Sequence, residues 1–107
     1  MSQAAPQFAN RLGYSDIEPF EVVRVVSERC LEIRAMRAER DPSWQPEWIP
    51  GGFAGHCLNQ AEQRWVIQSD PNGRVLRIRL GRNGWRSADR DRFEVADQPR
   101  RFYDYNF

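Results

Sequence analysis

The sequence lacks lysine and threonine altogether, and its 107 residues include one histidine, two cysteines and two methionines. All 16 basic residues are therefore arginine, and 15 acidic residues leave a formal net charge of +1. A polybasic tail that binds nucleic acid would carry a larger net charge, and an acidic disordered segment would lack the aromatic residues, which make up 12% of this chain. No apolar run approaches the ~20 residues of a membrane-spanning helix. The composition is typical of one small folded domain.

The cysteines and the first residues bear on the cellular compartment. Cys30 and Cys57 are too few for the disulfide framework of a small secreted domain. Residues 1–6 contain neither a basic region nor an apolar region, so no signal peptide is predicted. We therefore expect a reduced, cytoplasmic protein.

Two apolar runs begin the predicted domain. The sequence FEVVRVVS at 20–27 has high strand propensity, and RCLEIRAMR at 29–37 alternates apolar and polar residues. Because the two runs are almost adjacent, they predict a β-hairpin. Residues 1–14 show no such period, so we predict a flexible N-terminal tail there and a domain over residues 15–107.

Two turns predict hairpins in the second half of the chain. The sequence DPNG at 70–73 fits a type I turn, and it predicts that the runs 64–69 and 74–80 pair, with the register left open. Asn83-Gly84 predicts a second hairpin, and FEVA at 93–96 predicts another short strand. The five or six short strands predict an all-β fold. We expect a small antiparallel barrel, SH3-like as the first interpretation and OB-like as the second.

A proline-rich segment at 40–62 interrupts the strands. Aromatic residues in such a segment can line a groove for a peptide or ligand, or they can pack as a lid over a barrel end. The aromatic residues of the segment are Trp44, Trp48 and Phe53. The ending RRFYDYNF at 100–107 is expected to dock on the domain and close its core.

Positive charge is concentrated in the second half of the chain. Residues 1–63 hold 6 arginines and 9 acidic residues, whereas residues 64–107 hold 10 arginines and 6 acidic residues. Arginine beside aromatic residues can bind phosphate, single-stranded bases or an acidic protein. The alternative is that Arg77 and Arg79 pair across strands with Glu32 and Glu94. The predicted binding residues are Arg64, Arg77, Arg79, Arg82, Trp85, Arg86, Trp44 and Trp48.

No residue pattern predicts an active site. His56 and Cys57 are neighbours, and neighbouring side chains in an extended chain point to opposite sides, so they do not form a Cys–His dyad. The histidine and cysteines also lack the spacing of a zinc site, and a chain without lysine cannot form a P-loop. We therefore predict no catalytic residues, no metal and no cofactor.

Two segments resemble a known group of proteins. PSWQPEWIPGGFAGHCLNQAEQRW at 42–65 and RRFYDYNF at 100–107 are similar to a family of small, uncharacterised, single-domain proteins of bacteria, phages and mobile elements. Its members share a PGGF, GHC and NQ block and a YDYNF-type ending. The resemblance covers most of the chain after Tyr14. It implies a bacterial or phage cytoplasm and a gene class rich in binding and inhibitor proteins, and it transfers no catalytic residue.

These observations lead to one expected function and two alternatives. We expect a non-enzymatic macromolecule-binding module of a phage or mobile element that binds or inhibits a host protein or nucleoprotein complex. The expected partner is a protein or nucleoprotein, and nucleic acid is the other candidate. We expect no association with a membrane. The expected assembly is a monomer or homodimer. One alternative is a small hydrolase-like enzyme that uses His56 with Cys57 or a carboxylate. The other is a homodimeric structural protein.

Overall fold

The computed structural model describes residues 5–50 and 55–106. Residues 1–4 of the predicted tail, residues 51–54 with Phe53, and the terminal Phe107 lie outside the described residues. The described residues form ten strands and one short 3-10 helix. In chain order these are β1 (Phe8–Leu12), β2 (Ile17–Ser27), β3 (Cys30–Ala35), β4 (Arg37–Arg40), β5 (Trp48–Ile49), β6 (His56–Cys57), η1 (Gln60–Glu62), β7 (Trp65–Gln68), β8 (Val75–Gly81), β9 (Gly84–Ser87) and β10 (Arg92–Ala96).

Six of these strands close an antiparallel barrel. The strand order is β1-β2-β3-β8-β9-β10, and β10 returns to pair with β1. This confirms the predicted all-β fold with a small antiparallel barrel, and the architecture is consistent with an SH3-like barrel. The residues between β3 and β8, which we call the insertion, form two small sheets in which β4 pairs with β7 and β5 pairs with β6.

The barrel core is apolar and is built from alternate residues of its strands. Phe20 and Phe93 contact each other edge to face, with ring centroids 5.4 Å apart. Leu31 on β3 lies opposite Ile78 on β8, and both side chains are buried. Because side chains alternate along a strand, the residues on either side of Ile78 point to the outer surface. The buried core residues are Ala9, Phe20, Leu31, Ile33, Ile78 and Phe93.

The turn at 70–73 forms, but the predicted hairpin around it is wrong. The N–H of Gly73 donates to the carbonyl oxygen of Asp70 at 2.9 Å, as the turn requires. However, β7 pairs with β4, and β8 pairs with β3 and β9. The turn bends the chain locally, and β8 then pairs with β3 because this pairing buries Ile78 in the barrel core.

The predicted boundary at residue 15 also needs correction. Strand β1 lies between β10 and β2, so the barrel begins at Phe8 and not after a tail of 14 residues. The described residues 5–7 precede it, and the carbonyl oxygen of Gln7 accepts a hydrogen bond from Val22. Asn10 hides the strand from sequence reasoning because a polar residue interrupts the apolar pattern, although Asn10 is fully buried in the structure.

The other two predicted hairpins are confirmed. Ser27 lies opposite Cys30 in the hairpin of β2 and β3, and Gly81 lies opposite Gly84 in the hairpin of β8 and β9. The second loop lies one position earlier than predicted, because Gly84 begins β9 with a φ of 93°. Arg82 and Asn83 are therefore the exposed tip of this hairpin.

The segment after β10 runs along the outside of the barrel to the insertion. Phe102 pairs with Ile17 through two backbone hydrogen bonds of 2.9 and 3.0 Å. The N–H of Tyr103 donates to the side-chain oxygen of Gln63 at 2.8 Å. The aromatic C-terminus thus docks on the insertion and on the outside of the barrel, and the expectation that it closes the barrel core is wrong.

Candidate functional site

Outward-facing arginines collect on neighbouring strands of the barrel. On β8, Arg77 and Arg79 are exposed and alternate with the buried Ile78. On β9, Trp85 packs against the core, so its neighbour Arg86 points outward. The period of two residues along each strand therefore places arginine on one side and apolar residues on the other.

Three arginines lie in one row across β8, β9 and β10. Arg79 is directly opposite Arg86, and Arg86 is directly opposite Arg92 on the next strand. Directly opposed residues on antiparallel strands have Cβ atoms about 4.5–5.5 Å apart, so three cationic side chains start close together. Like charges in this arrangement destabilise a sheet. We call Arg79, Arg86 and Arg92 the arginine row.

An open concavity of about 530 Å³ lies beside the row at the β8–β9 hairpin. It is lined by Arg77, Arg79, Leu80, Gly81, Arg82, Asn83, Gly84, Arg86, Ser87 and Ala88. The described residues that line it include four arginines and no aspartate or glutamate. The concavity is therefore positively charged. We call Arg77, Arg79, Arg82, Arg86 and Arg92 the arginine face.

A second concavity of about 370 Å³ continues the arginine face towards the turn between β1 and β2. Arg86 lines both concavities, whereas Arg90 and Arg92 line the second. Asp91 also lines it, but a carboxylate oxygen of Asp91 lies 3.6 Å from the guanidinium of Arg11. The positive surface thus extends from β8 to β10.

Most of the arginine face is not neutralised within the described structure. Arg77 is the exception, since its guanidinium lies 3.2 Å from Glu32, as the ion-pair alternative predicts. Glu94 pairs with Arg100 at 2.7 Å and not with Arg79. Among residues 5–50 and 55–106, no carboxylate lies within ion-pair distance of the other four arginines of the face, which are Arg79, Arg82, Arg86 and Arg92.

The structure divides the predicted binding residues between two places. Arg77, Arg79, Arg82 and Arg86 come together at the first concavity. Trp85 does not join them, because its side chain packs against the barrel core. The remaining three predicted residues belong to the insertion and line neither concavity of the arginine face, and they are Arg64, Trp44 and Trp48.

The tryptophans of the insertion pack against the C-terminal segment. The ring of Tyr105 lies 5.5 Å from Trp44 and 6.1 Å from Trp48, measured between ring centroids. Tyr103 adds an edge-on contact with Tyr105 at 4.8 Å. Trp44 is buried, whereas Trp48 remains 48% exposed. Trp44 and Trp48 therefore pack against Tyr105 of the C-terminal segment, and neither belongs to the barrel core cluster.

Polar side chains complete the attachment of the C-terminal segment. The side-chain oxygen of Asn106 accepts from the N–H of Cys57 at 2.7 Å, and its amide donates to the carbonyl oxygen of Cys57 at 3.0 Å. The N–H of Tyr105 donates to the side chain of Gln60 at 2.9 Å. The guanidinium of Arg101 lies 5.1 Å from the ring centroid of Trp65, which is cation–π distance. These residues hold the segment in place.

The geometry of His56 and Cys57 agrees with their placement on opposite sides of an extended strand. His56 is exposed, and Cys57 is 1% exposed with its thiol 3.5 Å from the side-chain oxygen of Asn59. The two side chains therefore do not act on a common point. Within the described ranges, no group of three or more histidine, cysteine, aspartate or glutamate residues is arranged to hold a metal ion.

The arginines on the three barrel strands outside the arginine face, β1, β2 and β3, are engaged by carboxylates. The carboxylate of Glu21 accepts hydrogen bonds from Arg34 at 2.6 and 3.2 Å and from Ser69 at 2.8 Å. Burial by itself raises the pKa of Glu21, but the hydrogen bonds from Arg34 and Ser69 outweigh burial and lower the pKa below its ordinary value. Arg11 on β1 forms an ion pair with Glu18 on β2. Such arginines serve the fold, in contrast to the arginine row.

Comparison of the chain with models of known protein families, with curated proteins and with solved structures finds no match. The family resemblance of the segments 42–65 and 100–107 therefore stays a prediction. In the part of the chain that the structure describes, no helix is long and apolar enough to cross a membrane.

Sequence reasoning missed one member of the arginine face and misplaced one neighbour. Arg92 joins the row only because β10 pairs with β9, a relationship that spacing along the chain does not reveal. Trp85 was grouped with the arginines because it stands beside them in sequence. Strand alternation alone would have separated Trp85 from Arg86, since adjacent residues point to opposite faces.

Proposed function

We propose that this protein is a non-enzymatic binding module that holds an anionic macromolecule on the arginine face. The observation that carries the proposal is the arginine row, in which Arg86 lies between Arg79 and Arg92 on adjacent strands. Placing like charges opposite each other costs stability in a sheet. A negatively charged partner would offset that cost on binding.

The distribution of ion pairs supports this proposal. Arg34 and Arg11 each lie against a carboxylate of the barrel, so the fold has acidic groups available for arginine. The arginine row has no such partner among the described residues. Arginine is also well suited to recognition, because its planar guanidinium can donate two parallel hydrogen bonds to one phosphate or carboxylate group.

The local geometry also supports a binding role over a catalytic one. Histidine is the commonest general base, and His56 stands on the opposite side of β6 from Cys57. The resemblance to proteins of bacteria, phages and mobile elements supports a bacterial cytoplasm as the setting. The partner that we propose there is a host protein or nucleoprotein complex with an anionic surface.

Salt-dependent retention on a sulfated polysaccharide column tests the proposal. The test variant is Arg79→Gln/Arg86→Gln, and the control is Arg37→Gln/Arg40→Gln, which makes the same change in net charge at exposed positions of β4. We expect the wild type and the control to elute at a similar salt concentration and the test variant to elute earlier. Equal shifts in both variants, or a wild type that is not retained at low salt, would contradict a localised anion-binding face.

A further inference from the structure

We propose that the arginine face binds the phosphate backbone of double-stranded DNA, an inference that rests on the binding function proposed above. The backbone positions of these arginines form an array in two directions. Along β8, Arg77 and Arg79 are two residues apart, which is about 6.5 Å along a strand. Across β8, β9 and β10, the arginine row repeats about every 5 Å. Such an array can contact several phosphates of one duplex at the same time.

Charge density favours a duplex over an acidic protein as the partner. Double-stranded DNA carries one negative charge per ~1.7 Å of helix axis. Even a strand with an acidic side chain at every outward position would offer one charge per ~6.6 Å. Four arginines on three adjacent strands, together with Arg82 at the hairpin tip, therefore find more opposite charge on the duplex.

The absence of a stacking platform favours a duplex over a single strand. Proteins that hold single strands stack successive bases on exposed aromatic side chains. The described residues around the first concavity include no aromatic residue, and Trp85 packs against the core. Tyr14 is exposed and lines the second concavity, which provides one ring and not a series.

The tip of the β8–β9 hairpin favours DNA over duplex RNA. The major groove of B-DNA is ~12 Å wide and admits a two-stranded β-ribbon, whereas the major groove of A-form RNA is too narrow for side chains to read. Arg82 and Asn83 stand exposed at this tip and line the same concavity as the arginines. Arginine and asparagine are the side chains that pair with guanine and adenine edges in that groove. The hairpin tip would enter the groove while the arginine row contacts the backbone.

Fluorescence anisotropy with a labelled 20-base-pair DNA duplex tests this inference, and the salt concentration is the main variable. Contact with four or five phosphates predicts that the logarithm of the association constant falls linearly with the logarithm of the salt concentration, with a slope of about −4. Arg79→Gln/Arg86→Gln should make that slope shallower by about 2, whereas Arg37→Gln/Arg40→Gln should leave it unchanged. Circular dichroism and urea unfolding of each variant show whether the fold is intact. Two charges removed at β4 and two removed from the row thus serve as matched variants.

Three comparison probes complete the experiment, namely a 20-base-pair RNA duplex, a 20-nucleotide DNA strand and polyglutamate. We expect each to bind at least tenfold more weakly than duplex DNA at the same salt concentration. Equal or tighter binding of the RNA duplex or the single strand would overturn the assignment to duplex DNA. Retention on the polysaccharide column together with no binding of duplex DNA would overturn this inference and leave the proposed function standing. If the protein neither binds duplex DNA nor is retained on the polysaccharide column, the proposed function itself is overturned.

Discussion

The side-chain oxygen of Asn10 on β1 accepts a hydrogen bond from the backbone N–H of Arg100 at 2.9 Å. The same side chain donates to the carbonyl oxygen of Gln98 at 3.1 Å. Asn10 is fully buried, and both of these hydrogen-bond partners belong to the segment after β10. One buried amide therefore fixes the start of the C-terminal segment to the outside of the barrel.

Removing this amide should weaken the fold. Asn10→Ala leaves the N–H of Arg100 and the carbonyl oxygen of Gln98 without their partner, and we expect the free energy of unfolding to fall by about 2 kcal/mol. Urea titration measures this change. Asn72→Ala, at an exposed turn position, is the control and should stay within about 0.5 kcal/mol of the wild type. Equal losses in the two variants would refute the anchoring role of Asn10.

The far end of the segment can be tested through the thiol beneath it. Asn106→Ala removes both hydrogen bonds to the backbone of Cys57. If the free energy of local opening falls by about 1.4 kcal/mol, the open form that exposes the Cys57 thiol becomes about ten times more populated. We therefore expect labelling of Cys57 by a thiol reagent to accelerate about tenfold. Adding Cys57→Ala to this variant should abolish the accelerated phase. If the phase persists, the reactive thiol is Cys30 and the account of this end is wrong.

The close approach of the 70–73 turn to β3 makes another prediction. A Cβ atom added to Gly73 would lie 2.0 Å from the carbonyl oxygen of Ala35, so the backbone would have to move. Gly73→Ala should lower the free energy of unfolding by about 3 kcal/mol. A Cβ atom added to Gly81 meets nothing within 4 Å, so Gly81→Ala should be tolerated. Thermal melting of both variants measures the contrast, and similar melting temperatures would contradict this contact.

Acidic pH should weaken the hydrogen bonds that the Glu21 carboxylate accepts from Arg34 and Ser69. Because its pKa is lowered in the folded state, its stabilising contribution is present above the ordinary pKa of 4.5 and is lost as the pH falls through the folded value. Glu21→Gln should therefore cost about 1–2 kcal/mol at neutral pH, and the difference from the wild type should shrink below about pH 4. Urea unfolding across this pH range measures it. A difference that does not change with pH would show that the charge of Glu21 is immaterial.

Local patterns predict five of the six barrel strands, all except β1, and fail at long-range strand pairing. The alternation in β3 and the turn residues at Asn83 and Gly84 identify two hairpins, because both signals lie within a few residues. The pairing of β7 with β4 could not be predicted in this way, since it joins Trp65 to Arg40 across the whole proline-rich segment. Strand β1 escaped notice because the buried Asn10 looks like a surface residue.

The candidate site could also be predicted only in part, because local sequence patterns do not reveal which strands pair. The charge imbalance between the two halves points to the arginines of β8 and β9, and strand alternation places Arg77, Arg79 and Arg86 on one face. The row itself depends on the register of three strands, which brings Arg92 beside Arg86. Register is set by packing in the core and by turn geometry, so it emerges only from the folded chain.

The stability of Arg86→Gln, measured by urea unfolding at low and high salt, tests most directly whether the arginine row is kept for a partner. Glutamine retains the aliphatic part of the side chain and removes the charge between Arg79 and Arg92. It also removes the donor of the solvent-exposed hydrogen bond to the carbonyl oxygen of Arg90, where water takes its place at both salt concentrations. The account predicts that the variant is about 0.5 kcal/mol more stable than the wild type at low salt and that the difference vanishes at high salt. An Arg86→Gln variant that is less stable at low salt would contradict it, because the row would then serve the fold.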